Sequence, residues 1–177
     1  MARTLDDLFR YLDGLRGRAA LDRLQAELAD LDLGPEELAA HVRYSERTYR
    51  RNLVRGSDWY NLWVLCWRNG QRSPIHDHRG SSCAVRVLDG TMTETLFEFA
   101  PNGHVKALFS RDLPPGGVVG SEDTDLHQVS NLQAGDADLV TLHIYSPPLV
   151  LMGTYSLTER GRGEEPMLIE FYDAAGI

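Results

Sequence analysis

The amino-acid sequence predicts a mainly β protein of antiparallel strands, with α-helices at its N-terminal end. Apolar residues recur at helical spacing in the first quarter of the chain, and from Tyr49 onward they form short runs separated by glycine, proline and aspartate. Many short strands at close spacing are typical of a sandwich or a barrel. Because the sequence has no repeat, linker or low-complexity tract, we expect one domain over residues 1–177. Its helical segment should cover residues 1–45 and pack outside a barrel formed by residues 46–177.

Three helices are predicted in the N-terminal segment. Thr4 is expected to cap the first helix, because its hydroxyl can accept a hydrogen bond from an open N–H group of the first turn. A second helical pattern runs from Leu21 to Leu31 and stops at Gly34. Pro35 suits the first turn of a third helix, in the sequence PEELAAHV.

Ten strands are predicted after the helices. They are Arg51–Val54, Tyr60–Arg68, Ser82–Leu88, Thr91–Phe99, Val105–Phe109, Gly117–Gly120, Leu126–Ser130, Asp138–Tyr145, Val150–Leu157 and Met167–Tyr172. The Asp89-Gly90 pair between two of these runs is a strong signal for a β-hairpin.

Composition and charge limit the classes of function. Hydrophobic residues make up 42% of the 177 residues and charged residues 25%, which is typical of a soluble globular protein. A formal net charge of −8 without a basic stripe argues against a nucleic-acid partner. The sequence shows no transmembrane-length apolar run and no apolar signal segment, and two cysteines do not make a disulfide scaffold. We therefore expect a cytoplasmic monomer with no membrane partner, in which Cys66 and Cys83 are thiols.

Two histidines stand one residue apart in the segment from Gly70 to Gly90. In an extended chain, residues i and i+2 point the same way, so His76 and His78 share a face and Asp77 points away from it. Two such imidazoles can chelate one ion if a third ligand comes from elsewhere. A bare pair of this kind is more often a turn with solvated histidines, so the neighbouring residues decide the interpretation.

The spacing within this segment resembles the first signature of the cupin superfamily, whose jelly-roll barrel holds a metal inside. Gly70, His76, His78, Cys83 and Gly90 occupy the positions of that signature. In most cupins the position of Cys83 is a glutamate ligand. The resemblance implies a cupin-type jelly-roll β-barrel with the N-terminal α-helices packed outside.

In the second cupin signature three residues separate a histidine from an asparagine, and His127 and Asn131 have this spacing. The proline-x-glycine that usually precedes the histidine is not kept here. The expected metal ligands are therefore His76, His78 and His127. Three imidazoles leave the full dipositive charge of a ferrous ion, which favours an anionic substrate ligand such as a thiolate, together with dioxygen. Zinc with three histidines and a water is the competing interpretation, and residue spacing alone does not choose between them.

Further motifs resemble the cysteine dioxygenase family of thiol dioxygenases. They are RNLV at Arg51–Val54, LCW at Leu65–Trp67, IHDH at Ile75–His78, ETLF at Glu94–Phe97, LHQVSN at Leu126–Asn131 and LHIYSPP at Leu142–Pro148. The resemblance implies a non-haem Fe(II) enzyme that oxidises L-cysteine with O2 to cysteine sulfinic acid. In that reaction both oxygen atoms end on sulfur.

The same resemblance assigns the substrate contacts. Arg51 matches the arginine that pairs with the cysteine carboxylate, and Tyr49 matches the tyrosine beside it. A planar guanidinium can bind a carboxylate through two hydrogen bonds. Related dioxygenases of 3-mercaptopropionate carry glutamine in place of Arg51, so the arginine favours cysteine. The alternatives are a dioxygenase of 3-mercaptopropionate or another small thiol, and a non-catalytic metal-binding cupin.

Tyr145 matches the tyrosine beside the iron, and His143 matches the histidine that orients its hydroxyl. Alternation along a strand independently puts both on one face with Thr141, which replaces the usual serine of the family. Cys83 matches the cysteine that forms a thioether with this tyrosine in animal members, so we expect a Cys83–Tyr145 crosslink. Met152 replaces a second cysteine of the animal members near the mouth of the pocket.

Two smaller expectations concern the surroundings of the site. The Ser146-Pro147 bond matches a cis peptide bond of the family. Cys66 lies in an apolar strand and should be a buried packing thiol.

Overall fold

Two amphipathic helices cover one face of the β-barrel. The structure, a computed structural model, describes residues 3–33 and 36–167. The helices are α1 (Leu5–Asp13) and α2 (Leu21–Ala29). Thr4 caps α1 as predicted: its hydroxyl accepts from the Asp7 N–H, and the Asp7 carboxylate accepts from the Thr4 N–H. None of the helices in these residues is long and apolar enough to cross a membrane.

The third α-helix of the prediction is wrong. The chain turns at residues 36–38 and forms only a single 3₁₀ turn at Ala39–His41. Leu38 is the one buried residue between Glu36 and Arg43, so a helix here would bury little apolar surface. Helix nucleation is unfavourable, and a segment this short is not stable as a helix without burial of an apolar face. Pro35 lies outside the described residues.

The barrel is antiparallel, as predicted. Its strands within the described residues are β1 (Arg50–Gly56), β2 (Asn61–Trp67), β3 (Ile75–Asp89), β4 (Met92–Phe99), β5 (Val105–Leu113), β6 (Val118–Ser130), β7 (Leu139–Ser146), β8 (Leu151–Tyr155) and β9 (Gly163–Pro166). The strand order is β1-β2-β7-β3-β6-β4-β5, and β8 pairs with both β3 and β9. Together with the external helices, this is the expected cupin-type jelly-roll architecture.

The Asp89-Gly90 hairpin prediction is wrong in its pairing. The turn exists, and Gly90 has the positive φ of 77° that such a turn requires. However, β3 pairs with β6, β7 and β8, whereas β4 pairs with β5 and β6. The long strand β6, predicted as two separate strands, pairs with β3 from Val118 to His127 and with β4 only over its second half, from Leu126 to Ser130. The turn therefore moves the chain across β6 instead of folding it back on itself.

The ends of two predicted strands also differ. Strand β3 begins at Ile75, well before the predicted start at Ser82, so the histidine segment belongs to the sheet. The short strand β9 was not predicted, and all of its residues are exposed. Of the predicted strand Met167–Tyr172, only Met167 is among the described residues, and the rest lies outside them.

Strand β2 separates two apolar clusters. Leu62, Val64 and Cys66 lie in the cluster shared with the helices, whereas Leu65 and Trp67 lie in the cluster inside the barrel. Because both faces are covered, the strand is a continuous apolar run in the sequence. Cys66 is fully buried, as predicted. The inner cluster reaches the cavity that holds the histidines.

Candidate metal centre

Two neighbouring strands bring the three predicted metal ligands together. His76 on β3 lies opposite His127 on β6, and His78 follows after an irregularity in the register. One ligand atom from each of the three rings lies within 4.8 Å of the others. The Nε2 atoms of His76 and His127 are 3.2 Å apart. Nitrogen ligands of one transition-metal ion at ordinary bond lengths lie roughly 3 Å apart, so the spacing suits a shared ion.

Burial keeps the imidazoles of His76 and His78 neutral. It lowers the pKa of His76 to about 3, with the neighbouring His127 adding to the effect, and lowers the pKa of His78 well below its ordinary value. A neutral imidazole has one nitrogen lone pair free to bind a metal. Three buried histidines around one point therefore fit a divalent transition metal such as iron or zinc.

Asp77 turns away from the ligand cluster, as alternation along the strand predicts. Its buried carboxylate accepts hydrogen bonds from the Tyr155 hydroxyl at 2.7 Å and the Gly153 N–H at 3.1 Å. It also pairs with Arg162 at 3.3 Å. These contacts tie the histidine-bearing strand β3 to β8 and to the turn that follows it.

The outer nitrogens of the ligands have different partners. His76 Nδ1 lies 3.0 Å from the carbonyl oxygen of Pro74, and His127 Nδ1 lies 2.9 Å from Oε1 of Glu94. The Nδ1 atom of His78 has no hydrogen-bond partner within the described residues. Sequence reasoning gave Glu94 no role. Its signal was available, because Glu94 follows Met92 by two residues and so shares the inward face of an apolar strand.

A small cavity opens beside the three histidines. Besides these ligands, its lining comprises Tyr49, Arg51, Leu65, Trp67, Ser73, Cys83, Val129, His143, Tyr145, Met152 and Met167. Every residue predicted for substrate binding or catalysis thus lies on one cavity. Their individual roles stay predictions.

Arg51 faces this cavity with its charge available. No ion pair holds its guanidinium anywhere in residues 3–33 and 36–167, and its Nη1 lies 2.5 Å from the sulfur of Met167. The guanidinium lies 5.9 Å from the centre of the Tyr49 ring, and that ring stacks on Trp67 with centres 4.2 Å apart. The stack fixes the wall against which Arg51 rests. A guanidinium can bind a carboxylate through two parallel hydrogen bonds.

A chain of hydrogen bonds leads from Trp67 to Tyr145. The indole N–H of Trp67 lies 2.9 Å from the Thr141 hydroxyl and can only donate, so that oxygen accepts. The single Thr141 proton must then serve the 2.8 Å bond to Nε2 of His143. Neutral His143 consequently carries its proton on Nδ1, which lies 3.5 Å from the Tyr145 oxygen. The Tyr145 oxygen therefore accepts this bond and keeps its own O–H proton to donate, with the neighbouring Cys83 sulfur as one group within its reach.

Both groups of the predicted crosslink are buried side by side. Cys83 on β3 lies directly opposite Tyr145 on β7. Burial raises the pKa of the Cys83 thiol and that of the Tyr145 phenol, so both keep their protons at neutral pH. The Ser146-Pro147 bond that follows is cis, as expected.

The chain is similar to cysteine dioxygenases over nearly its whole length. A family model described as cysteine dioxygenase type I matches residues 1–158. Cysteine dioxygenase type 1 of Rattus norvegicus and that of Homo sapiens are each 36% identical to it over 182 residues, covering 99% of this chain and 89% of the relative. The enzyme of the same name from Danio rerio is 31% identical over 86% of this chain and 79% of its own length.

Among solved structures, similarity to the protein described next concerns the fold and not the function. The TT1209 protein of Thermus thermophilus superposes with a TM-score of 0.53 at 20% identity, covering 65% of this chain and 98% of that protein.

Proposed function

The chain belongs to the cysteine dioxygenase type I family, and on that premise we propose that it oxidises L-cysteine with O2 to cysteine sulfinic acid. The observation that carries the proposal is that the Arg51 guanidinium and three buried histidines line the same cavity. A metal ligand set and a carboxylate-binding cation on one small cavity suit an amino acid that carries both a thiol and a carboxylate.

We propose that His76, His78 and His127 hold ferrous iron. When bound, the iron would supply the redox chemistry that joins dioxygen to the sulfur of cysteine. Zinc has no redox chemistry, so membership of a dioxygenase family favours iron over zinc for this ligand set.

The protein's own part in the reaction is orientation. Arg51 binds the substrate carboxylate with its planar guanidinium, which fixes the register of the substrate. Tyr49 lies beside it, and the Tyr49–Trp67 stack keeps the guanidinium facing the histidines. The phenol of Tyr145 points its O–H into the cavity, where it donates to the substrate. The apolar side chain of Met152 helps to exclude water.

The test compares three thiols that differ in one group each. Oxygen uptake and product are measured with cysteine, with cysteamine, which lacks the carboxylate, and with 3-mercaptopropionate, which lacks the amine. We expect cysteine to be the best substrate. Arg51→Gln should lower kcat/KM for cysteine roughly ten- to a hundredfold, the effect of losing one charged hydrogen-bond pair.

Two results would redirect the proposal. A strong preference for 3-mercaptopropionate would make the protein a dioxygenase of that thiol. Stoichiometric iron without any cysteine-dependent oxygen uptake would make it a metal-binding cupin without catalysis.

We also propose a thioether between Cys83 Sγ and the Tyr145 ring carbon beside the hydroxyl. The new bond replaces one S–H and one C–H bond, and dioxygen takes up the two hydrogen atoms. Intact mass after prolonged turnover with iron and cysteine should therefore fall by two hydrogens, and Cys83→Ser should abolish the loss. An unchanged mass in the wild-type protein would exclude the crosslink.

We propose finally that residues 1–177 act as a single domain and as a monomer in the cytoplasm. Helices α1 and α2 share one apolar cluster with strands of the barrel, which supports the single domain. Light scattering of the purified protein measures its molar mass, which should be the 19.9 kDa of one chain if the protein is a monomer.

A further inference from the structure

The three histidines of the metal centre are held in unequal ways. An anion, Glu94, faces the outer nitrogen of His127, whereas a neutral carbonyl faces that of His76. Within the described residues the outer nitrogen of His78 has no hydrogen-bond partner. His127 is therefore the one ligand of the three whose outer nitrogen contacts a buried charged group.

A row of side chains across three strands produces this contact. Arg111 on β5 lies directly opposite Glu94 on β4, and β4 pairs in turn with β6, which carries His127. One oxygen of Glu94 accepts from Arg111 Nε at 2.8 Å and Nη2 at 2.6 Å. The other oxygen lies 2.9 Å from Nδ1 of His127. Each oxygen of the carboxylate therefore serves one partner.

The charge of Glu94 decides which way its hydrogen bond to His127 runs. Its side chain is 0% exposed, and two N–H groups of the Arg111 guanidinium donate to one of its oxygens. A buried carboxyl group paired in this way with a guanidinium is held as the anion. An ionised carboxylate can only accept, so this hydrogen bond requires a proton on Nδ1 of His127. The Ser121 hydroxyl, at 3.4 Å from the same nitrogen, is the more distant neighbour.

We propose that Glu94, anchored by Arg111, is a positioning residue that fixes the ring and the tautomer of His127. With its proton on Nδ1, His127 presents the Nε2 lone pair toward His76 Nε2, on the side where the ligands converge. The adjacent negative charge makes His127 the strongest donor of the three. This role rests on the proposed metal site. It concerns how tightly the site binds a metal and how unequal its three ligands are, and not the choice of substrate.

The first test measures metal affinity in matched variants. Glu94→Gln removes the charge and keeps the size of the side chain. The control is Glu98→Gln, the same change on the same strand, in an acid that pairs with Lys106 and has no hydrogen bond to a histidine. Zinc ion is titrated into metal-free full-length protein in competition with a chelating dye. We expect Glu94→Gln to bind zinc roughly ten- to a hundredfold more weakly and Glu98→Gln to match the wild type.

The second test reads the tautomer in the wild-type protein and so does not depend on how a variant folds. Nitrogen-15 spectra of histidine-labelled, zinc-loaded protein should show the His127 proton on Nδ1, shifted downfield by its bond to a carboxylate. Glu94→Asp, which keeps the charge on a shorter stem, should recover part of the lost affinity that Glu94→Gln does not.

Different failures have different meanings. Equal zinc affinity in wild type and Glu94→Gln, or a His127 proton on Nε2, would overturn the role of Glu94 and leave the metal site standing. A wild-type protein that binds no zinc and no ferrous iron would overturn the metal site itself and this inference with it.

Discussion

Thr141→Val removes one hydroxyl from the hydrogen-bonded chain behind Tyr145 and keeps the size of the side chain. Without that hydroxyl nothing fixes the proton of His143 on Nδ1, and the buried indole N–H of Trp67 loses its acceptor. We expect kcat for cysteine to fall roughly ten- to a hundredfold, and the free energy of unfolding to fall by about 1–3 kcal/mol. Oxygen uptake and chemical denaturation measure the two effects.

Thr141→Ser is the matched control, because it keeps the hydroxyl and loses only a methyl group. Its kcat should stay close to that of the wild type. A normal kcat in Thr141→Val would show that Tyr145 does not depend on the tautomer of His143.

At the residue scale, alternation along a strand made part of the site predictable. The shared face of Thr141, His143 and Tyr145 follows from their spacing alone. The role of Glu94 does not, because its spacing from Met92 can place it on the inward face of the strand but does not say which residue it meets there. Its contact with His127 joins residues 33 positions apart and needs the strand order.

Tyr60→Phe tests how helix α1 is fastened to the barrel. The buried Tyr60 donates a hydrogen bond of 2.6 Å to Asp13 at the end of α1. That hydrogen bond is the largest cause, and the hydrogen bond from Arg55 the next, of a pKa of Asp13 that lies below its ordinary value of 3.8. Its stabilising effect is therefore complete above that value and is lost as the pH falls through the folded-state pKa. We expect Tyr60→Phe to lose about 1 kcal/mol at pH 7, since solvent near the half-exposed Asp13 weakens the bond.

The measurement is urea denaturation of both proteins at pH 7 and at pH 3. The gap between wild type and variant should narrow at the lower pH. Tyr44→Phe is the control, because the structure gives its hydroxyl no hydrogen bond within the described residues. A gap that is as wide at pH 3 as at pH 7 would mean that Tyr60 acts through packing and not through Asp13.

Element boundaries were predictable where an unbroken apolar run is bounded by polar residues, as in β2. Boundaries were missed where polar residues of the site stand at positions that would otherwise carry an apolar alternation. The first part of β3 carries histidines, Asp77 and Arg79 in place of an apolar alternation, so its strand character was invisible before Ser82. The pairing of the Asp89-Gly90 turn was missed for another reason: a local turn signal does not say that β6 lies between the strands it joins.

For the whole molecule, burying neutral histidines makes folding sensitive to acid. Burial lowers the pKa of both His76 and His143 to about 3, from an ordinary value of 6.5. Between these values the unfolded chain takes up protons that the folded chain does not, so stability is complete above about 6.5 and falls as the pH falls toward 3. Between pH 7 and pH 5 the metal-free protein should lose roughly 2 kcal/mol for each of these two histidines.

His143→Gln isolates one of these contributions without touching a predicted metal ligand. Its free energy of unfolding in metal-free buffer should fall less steeply than that of the wild type between pH 7 and pH 5. His41→Gln, on the 3₁₀ turn, should keep the wild-type slope. Equal slopes in wild type and His143→Gln would mean that His143 titrates alike in the folded and unfolded chains. The inner wall of the barrel would then be wetter than its packing indicates, and water would compete with substrate for Tyr145.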